Sequence, residues 1–159
     1  MADQLSKSEL EQCAHALGTS ACVNLRKSSR AITRWFDEEL EPAGLRSTQL
    51  AILLTVAVMD RPTYSHVARE LVTDRSTLSR NLVLLQKEGL VKTRLGRSAK
   101  HKLVSLTPEG IRRVRETIPL WAATQQAFLS QFGADRWTEF LIGLAATVSS
   151  VHAATNSVE

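Results

Sequence analysis

Within the 45 residues from Thr63 to Thr107, the spacing of apolar side chains switches from three-or-four to two. Val67, Ala68 and Leu71 follow Thr63, a good helix cap, at helical spacing. Leu78, Leu82 and Leu85 follow Asp74, another good cap, at i, i+4 and i+7. Only Val72 and Thr73 separate the two segments, so the pattern predicts two short helices joined by a tight link. Gly89 suits the exit from the second. Val91, Thr93 and Leu95 then alternate with Lys92 and Arg94, Gly96 breaks the run, and Lys102, Val104 and Leu106 share one face of a second strand. Thr107-Pro108-Glu109 opens another helix, with a cap, a proline in first place and an acid in the first turn. Helix, tight link, helix, hairpin is an order that few folds accommodate. It predicts a helix-turn-helix followed by a two-stranded wing.

Charge follows the same boundaries. Tyr64 to Thr107 holds nine Lys and Arg against three acids, a net of +6, while the remainder holds eleven against thirteen, a net of −2. All of the excess positive charge therefore sits in the predicted helix-turn-helix and wing. Residues 93 to 107 carry Arg94, Arg97, Lys100 and Lys102 and no acid. Segregation of this kind points to a polyanion, and the lack of an apolar anchoring face beside it favours nucleic acid over membrane.

The flanks are helical. From about Lys7 to Leu40 the pattern is that of a helix weakened near Gly18, with Leu25, Ile32, Phe36 and Leu40 on one broad face and Arg26, Arg30 and Arg34 striped beside it. Glu41 to Gly44 is a break. Ser47 is expected to cap a helix built on Leu50, Leu53, Leu54 and Val58, which Asp60-Arg61-Pro62 ends. After Thr107 one helix should reach Phe132, with a kink at Pro119, and a last helix capped by Asp135 should carry Trp137, Phe140, Leu141, Leu144, Val148 and Val151. The middle of the chain is too small to cover these apolar faces. Either they pack against their copies in a second subunit, or they close into an intramolecular bundle.

At 159 residues, with 43% hydrophobic and 23% charged side chains, the composition is that of one ordinary globular domain. Its polar first dozen residues do not form a signal peptide, and the longest apolar run, Ala51 to Met59, is too short to cross a bilayer. The two cysteines make no disulfide framework, so a reduced, cytoplasmic protein without membrane contact is expected. No nucleophile–base pair, glycine-rich phosphate loop or metal-ligand spacing is visible, Cys13, His15 and Cys22 included. The chain should be no enzyme, with no cofactor and no metal.

On a helical wheel the second short helix turns Leu78, Leu82 and Leu85 inward and Ser76, Ser79, Arg80, Val83 and Lys87 outward. An α-helix fits the major groove, where Arg80 can fork to guanine, hydroxyls can bond base or phosphate and Val83 can meet a thymine methyl. Arg75 stands at the helix start, where backbone N–H groups also attract phosphate. The wing cations suit the DNA backbone and the adjacent minor groove. The expected DNA-binding residues are Arg75, Ser76, Thr77, Ser79, Arg80, Lys87, Arg94, Arg97, Lys100 and Lys102.

Three stretches, "LRSTQLAILL", "VARELVTDRSTLSRNLVLLQKEGLV" and "KLVSLTPEG", resemble the MarR (multiple antibiotic resistance regulator) family of winged-helix transcription factors, and the likeness runs over nearly the whole chain. It implies a mainly α fold: a winged helix-turn-helix with a two-stranded β wing and long N- and C-terminal dimerisation helices. Residues 1–159 would form a single domain, with the DNA-binding lobe at about 45–107 and dimerisation helices at about 7–42 and 108–155. It further implies an obligate homodimer on a pseudo-palindromic double-stranded DNA operator, and a ligand cleft between the dimer helices and the DNA-binding lobe. Family wings often carry Asp-Arg-Arg before the second strand; here Ser98, Ala99 and Lys100 occupy that place. Arg97 and Lys100 are both candidates for the minor groove.

The expected function is therefore a sequence-specific DNA-binding transcriptional regulator, a repressor released by a small effector. Two effector sites suggest themselves. Cys22, eight residues before Arg30 in "CVNLRKSSRAITR", stands where the organic-hydroperoxide-sensing branch of the family places a reactive cysteine, and Arg26 would favour its thiolate. That branch also has tyrosines where this chain has Ser47 and Leu50, so a small buried core residue is the competing reading. The stripe with Arg26 and Arg30 would attract a small anionic aromatic, unless it is a solvated face with Arg34 paired to Glu38. A thiol-based, redox-responsive repressor is thus one alternative. A winged-helix module that binds protein instead of DNA is the other.

Overall fold

The computed structural model describes residues 4–96 and 102–156. Among these the order is α1 (Lys7–Thr19), α2 (Ala21–Leu40), a 3₁₀ turn (Glu41–Ala43), α3 (Ser47–Val58), α4 (Tyr64–Glu70), α5 (Arg75–Lys87), β1 (Val91–Leu95), β2 (Lys102–Leu106), α6 (Pro108–Phe132) and α7 (Ala134–Asn156). The chain divides into two compact units with the boundary between Thr117 and Ile118. No helix of the described residues is long and apolar enough to cross a membrane.

Local chemistry explains each break. The first helical stretch stops not at Gly18 but two residues on: Ser20 leaves the helical region, and its side chain accepts from the Val23 N–H to start α2. Asn24 Nδ2 then donates to the carbonyls of Gly18 and Ser20 at 3.0 and 2.9 Å and fastens the corner. Ser47 does not cap α3; it is already the first helical residue. Its backbone N–H and its hydroxyl instead both donate to Asp37 Oδ1 of α2, at 2.7 and 2.6 Å. A carboxylate from the preceding helix therefore satisfies this helix start, where a serine at the cap was expected. Thr63 and Asp74 do cap α4 and α5. Pro119 leaves α6 continuous in its secondary structure, and α7 begins one residue before Asp135, which lies in its first turn.

In the first unit Leu40, Leu50, Leu53, Val67, Leu78, Leu82, Leu85, Leu90, Val91 and Val104 are buried in one core. Helices as short as α4, with seven residues, do not persist alone in water. Each buried leucine contributes about 1.5–3 kcal/mol, enough to hold α4 and α5 as a fixed pair. β1 and β2 run antiparallel with Val91 opposite Leu106, Thr93 opposite Val104 and Leu95 opposite Lys102. Val104 N donates to the Pro62 carbonyl at 3.0 Å, so the hairpin is stitched to the segment before α4.

The start of α6 is fastened to the root of the hairpin. Thr107 Oγ1 donates to the Gly89 carbonyl at 2.6 Å and accepts from the Gly110 N–H at 3.0 Å, while Thr107 N donates to the Leu90 carbonyl at 3.1 Å. Gly110 is there because nothing larger fits: a Cβ would stand 2.0 Å from the Leu90 oxygen. In the second unit Phe128, Phe132, Trp137 and Phe140 form an aromatic cluster, with Phe128 and Phe132 stacked at 5.3 Å and Trp137 edge-on to Phe128 at 5.1 Å.

Candidate nucleic-acid interface

α5 follows α4 across the tight link that the sequence predicts, with Val72 in the left-handed region at φ +47°. Leu78, Leu82 and Leu85 are buried on its inner face. Ser76, Arg80, Val83 and Lys87, at i, i+4, i+7 and i+11, are exposed along the other. Val83 lies on that face with 49% of its surface open to solvent. Arg75 is exposed at the helix start, and Thr77 and Ser79 are half-buried at the edge of the same face.

The first turn of α5 is a hydrogen-bonded cap. Asp74 Oδ1 accepts from the Thr77 N–H at 2.8 Å and from the Ser76 hydroxyl at 2.5 Å. Those two residues hold the Asp74 carboxyl well below the usual carboxylate range. Ser76 thus spends its proton on the cap and faces outward as an acceptor, which the sequence did not disclose. Arg80 Nη2 donates to Thr77 Oγ1 at 3.2 Å, which draws the guanidinium along the exposed face toward the helix start. Thr77 therefore orients Arg80.

The wing cations are not all together. In the register of the hairpin, Lys102 pairs with Leu95 and shares its face with Thr93, whose hydroxyl lies 3.5 Å from Gln86 Oε1 of α5. Arg94 pairs with Leu103, Lys92 with Ser105, and these occupy the opposite face. Lys102 thus belongs to the side that adjoins α5, and Arg94 to the other. Arg97 and Lys100 lie outside the described residues.

Cys22 and Cys13 are both exposed and unpaired, so Cys22 is not the buried core residue that one sequence reading made it. Arg26, Arg30 and Arg34 are exposed along α2, and among the described residues no ion pair joins Arg34 to Glu38. No group of three metal-ligating side chains occurs among the described residues.

No protein-family model matches the sequence. An HTH-type transcriptional regulator of Bacillus subtilis (strain 168), YwoH, itself uncharacterised, is 28% identical over 108 residues, or 68% of this chain and 79% of that one. The M. tuberculosis transcriptional regulator MosR, solved in complex with DNA, overlays with a TM-score of 0.73 at 28% identity, covering 83% of this chain and 98% of that one. The PcaV regulator of Streptomyces coelicolor, solved with its natural ligand, overlays with a TM-score of 0.72 at 24% identity, covering 85% and 96%, a likeness of fold. All three are transcriptional regulators by name. A chain with this lobe between these helices, and with these relatives, is a winged-helix transcriptional regulator with the fold of the MarR family.

Proposed function

We propose that the protein is a sequence-specific DNA-binding repressor that works in the cytoplasm as a homodimer on a pseudo-palindromic operator and is released by a small molecule. One observation carries the reading: α5 buries its leucines and presents Ser76, Arg80, Val83 and Lys87 along one exposed face, beside a hairpin whose Lys102 lies on the same side. That face offers a forked donor, hydroxyl acceptors and a methyl surface, which is what base edges in the major groove require. Arg75 and Lys102 flank it as phosphate contacts, with Arg97 and Lys100 assigned to the minor groove on the sequence alone.

Dimerisation is supported by what the terminal helices leave uncovered. Leu10 and Leu17 of α1 and Leu141, Ile142, Val148 and Val151 of α7 are exposed, Ile142 at 67%. Apolar surface on this scale in helices of 13 and 23 residues calls for a partner, and a second copy supplies one by symmetry. Residues 1–159 then act as one dimeric domain, with α5 of each subunit reading one half-site.

The test is nuclease protection on the DNA upstream of the protein's own gene. The reading expects a protected pseudo-palindrome with half-sites about one helical turn apart. Binding to that DNA no tighter than to an unrelated duplex would leave the protein-interaction module as the better reading.

Release by oxidation of Cys22 is a second reading, favoured by the exposure of its thiol, with Arg26 one turn further along α2. It requires that cumene hydroperoxide release the wild-type protein from its operator and leave Cys22→Ser bound.

A further inference from the structure

The two strands of the wing are held to the lobe in different ways. Backbone holds β2: Val104 N donates to the Pro62 carbonyl at 3.0 Å, and Leu103 bridges to Thr63. On the α5 side a side chain holds β1, that of Thr93 at its midpoint. The Thr93 hydroxyl is hydrogen-bonded to the phenol of Tyr64, the first residue of α4, and lies 3.5 Å from Gln86 Oε1, one residue before the end of α5. Tyr64 is half-buried against the leucine core. Burial pushes its phenol above the ordinary value, so it keeps its proton and donates. A hydroxyl has one proton and two lone pairs, so Thr93 accepts from Tyr64 and directs its own proton toward Gln86. One threonine thus joins α4, β1 and α5, all within the first compact unit.

The place of Thr93 gives this contact leverage. Along its face of the hairpin Val91–Leu106 lies at the root, Thr93–Val104 in the middle and Leu95–Lys102 outermost. Val91 and Val104 are buried, whereas Leu95 is 70% exposed. Thr93 is therefore where this face leaves the core, and the Leu95–Lys102 pair stands two residues, about 7 Å, beyond it. A tilt of about 10° at Thr93 carries that pair by roughly 1 Å. Apolar packing at Val91 and Val104 is non-directional and resists separation more than tilt. A hydrogen bond weakens steeply away from its preferred line, so it resists the tilt itself.

We propose that Tyr64, Thr93 and Gln86 form a polar clasp that fixes the tilt of the wing against α5 before DNA arrives, with Thr93 as the positioning residue. A wing already held in place binds as it stands, whereas a loose one must be ordered at the moment of binding, at a cost in affinity. None of the three is among the residues assigned to DNA contact. That the wing meets DNA rests on the reading above; that the clasp fixes the wing does not.

Backbone nitrogen-15 relaxation of the full chain without DNA reads the clasp by itself. The order parameters of Leu95 and Lys102 should fall in Thr93→Val, which keeps the shape of the side chain and removes the hydroxyl. Thr93→Ser keeps the hydroxyl and should hold them at the wild-type level. Tyr64→Phe leaves the ring in the core, should loosen the wing from the other partner, and replaces Thr93→Val if that variant does not fold. On the duplex protected upstream of the protein's own gene, Thr93→Val should bind about threefold to tenfold more weakly than wild type or Thr93→Ser. Its slope of log K against log salt should be unchanged, because the same phosphates are met. A wing as ordered in Thr93→Val and Tyr64→Phe as in the wild type overturns the proposal, and so does a Thr93→Ser wing as loose as that of Thr93→Val. A loosened wing with wild-type operator affinity, or with a shallower salt slope, overturns the role in preparing the wing for DNA. A wing loosened by Thr93→Val in a protein whose wild type does not recognise that duplex would sink the DNA reading and leave the clasp standing.

Discussion

Arg80 sits in the middle of the exposed face of α5 with its guanidinium drawn toward Thr77 Oγ1, so its fork is oriented before DNA arrives. Arg80→Ala should cost about 1–3 kcal/mol of specific binding and relax the preference at one position of each half-site, as competition between operator variants would show. Uniform weakening over all sequences would make Arg80 a phosphate contact instead. Asp74 acts one step earlier, because its cap fixes the turn on which Ser76 and Thr77 stand. Its carboxyl titrates below the ordinary carboxylate range in the folded protein, so its contribution is fully present above about pH 4 and lost as the pH falls through the lower folded value. The thermal midpoint of Asp74→Ala should therefore lie below that of the wild type by a constant margin from pH 7 to about pH 4, and the margin should shrink only in stronger acid. A margin that vanished already near pH 5 would mean that the cap does not depend on the charge. Asp74 and Thr63 were legible as caps because cap and apolar period adjoin in sequence. Ser47 was misread because its partner, Asp37, is ten residues away on another helix. Adjacency in sequence cannot disclose that.

Among the elements, the junction of α6 with the hairpin is the one that the sequence disguised. "TPEG" reads as a helix start, and it is one. Yet Thr107 also ties that start to the carbonyls of Gly89 and Leu90, where α5 ends and β1 begins, and Gly110 lets the helix approach the Leu90 carbonyl that closely. A helix propensity scale counts Gly110 as a weak point and says nothing of the backbone oxygen beside it. Gly110→Ala should destabilise by about 2 kcal/mol or more, since backbone rather than a flexible side chain must move. Gly18→Ala, with open space around it, should be neutral or slightly stabilising. Equal effects in a pair of denaturant titrations would show that the contact with Leu90 yields easily. The helix-turn-helix and the two strands of the hairpin were readable from periods of 3.6 and 2, because those periods are what burial against one core imposes. The same alternation already set Arg94 apart from Val91, Thr93 and Leu95 and put Lys102 with Val104 and Leu106; which residues pair across the turn was not readable.

For the molecule as a whole, the apolar faces of the terminal helical regions announced themselves as a surplus over what the centre of the chain can bury; the stripe of α7 is exposed in the single chain, and so are Leu10 and Leu17 of α1, which the sequence reading did not single out. Leu144→Glu, within the stripe of α7, should cost several kcal/mol if that stripe is buried between subunits, about the cost of an unpaired carboxylate. Sedimentation should then show monomer or aggregate; a stable dimer that still binds operator would put the interface elsewhere. Charge was the most direct pointer to function, since the +6 of residues 64–107 coincides with the lobe that carries α5 and the wing. The central claim, that this lobe grips duplex DNA through α5 and the adjoining face of the wing, is tested most directly by the salt dependence of operator binding. Fluorescence anisotropy from about 50 to 300 mM salt should give a steep fall in log K against log salt for the wild-type protein, and for Lys102→Ala a slope shallower by roughly two, one phosphate per subunit. A flat wild-type slope, or a slope unchanged by Lys102→Ala, would contradict it.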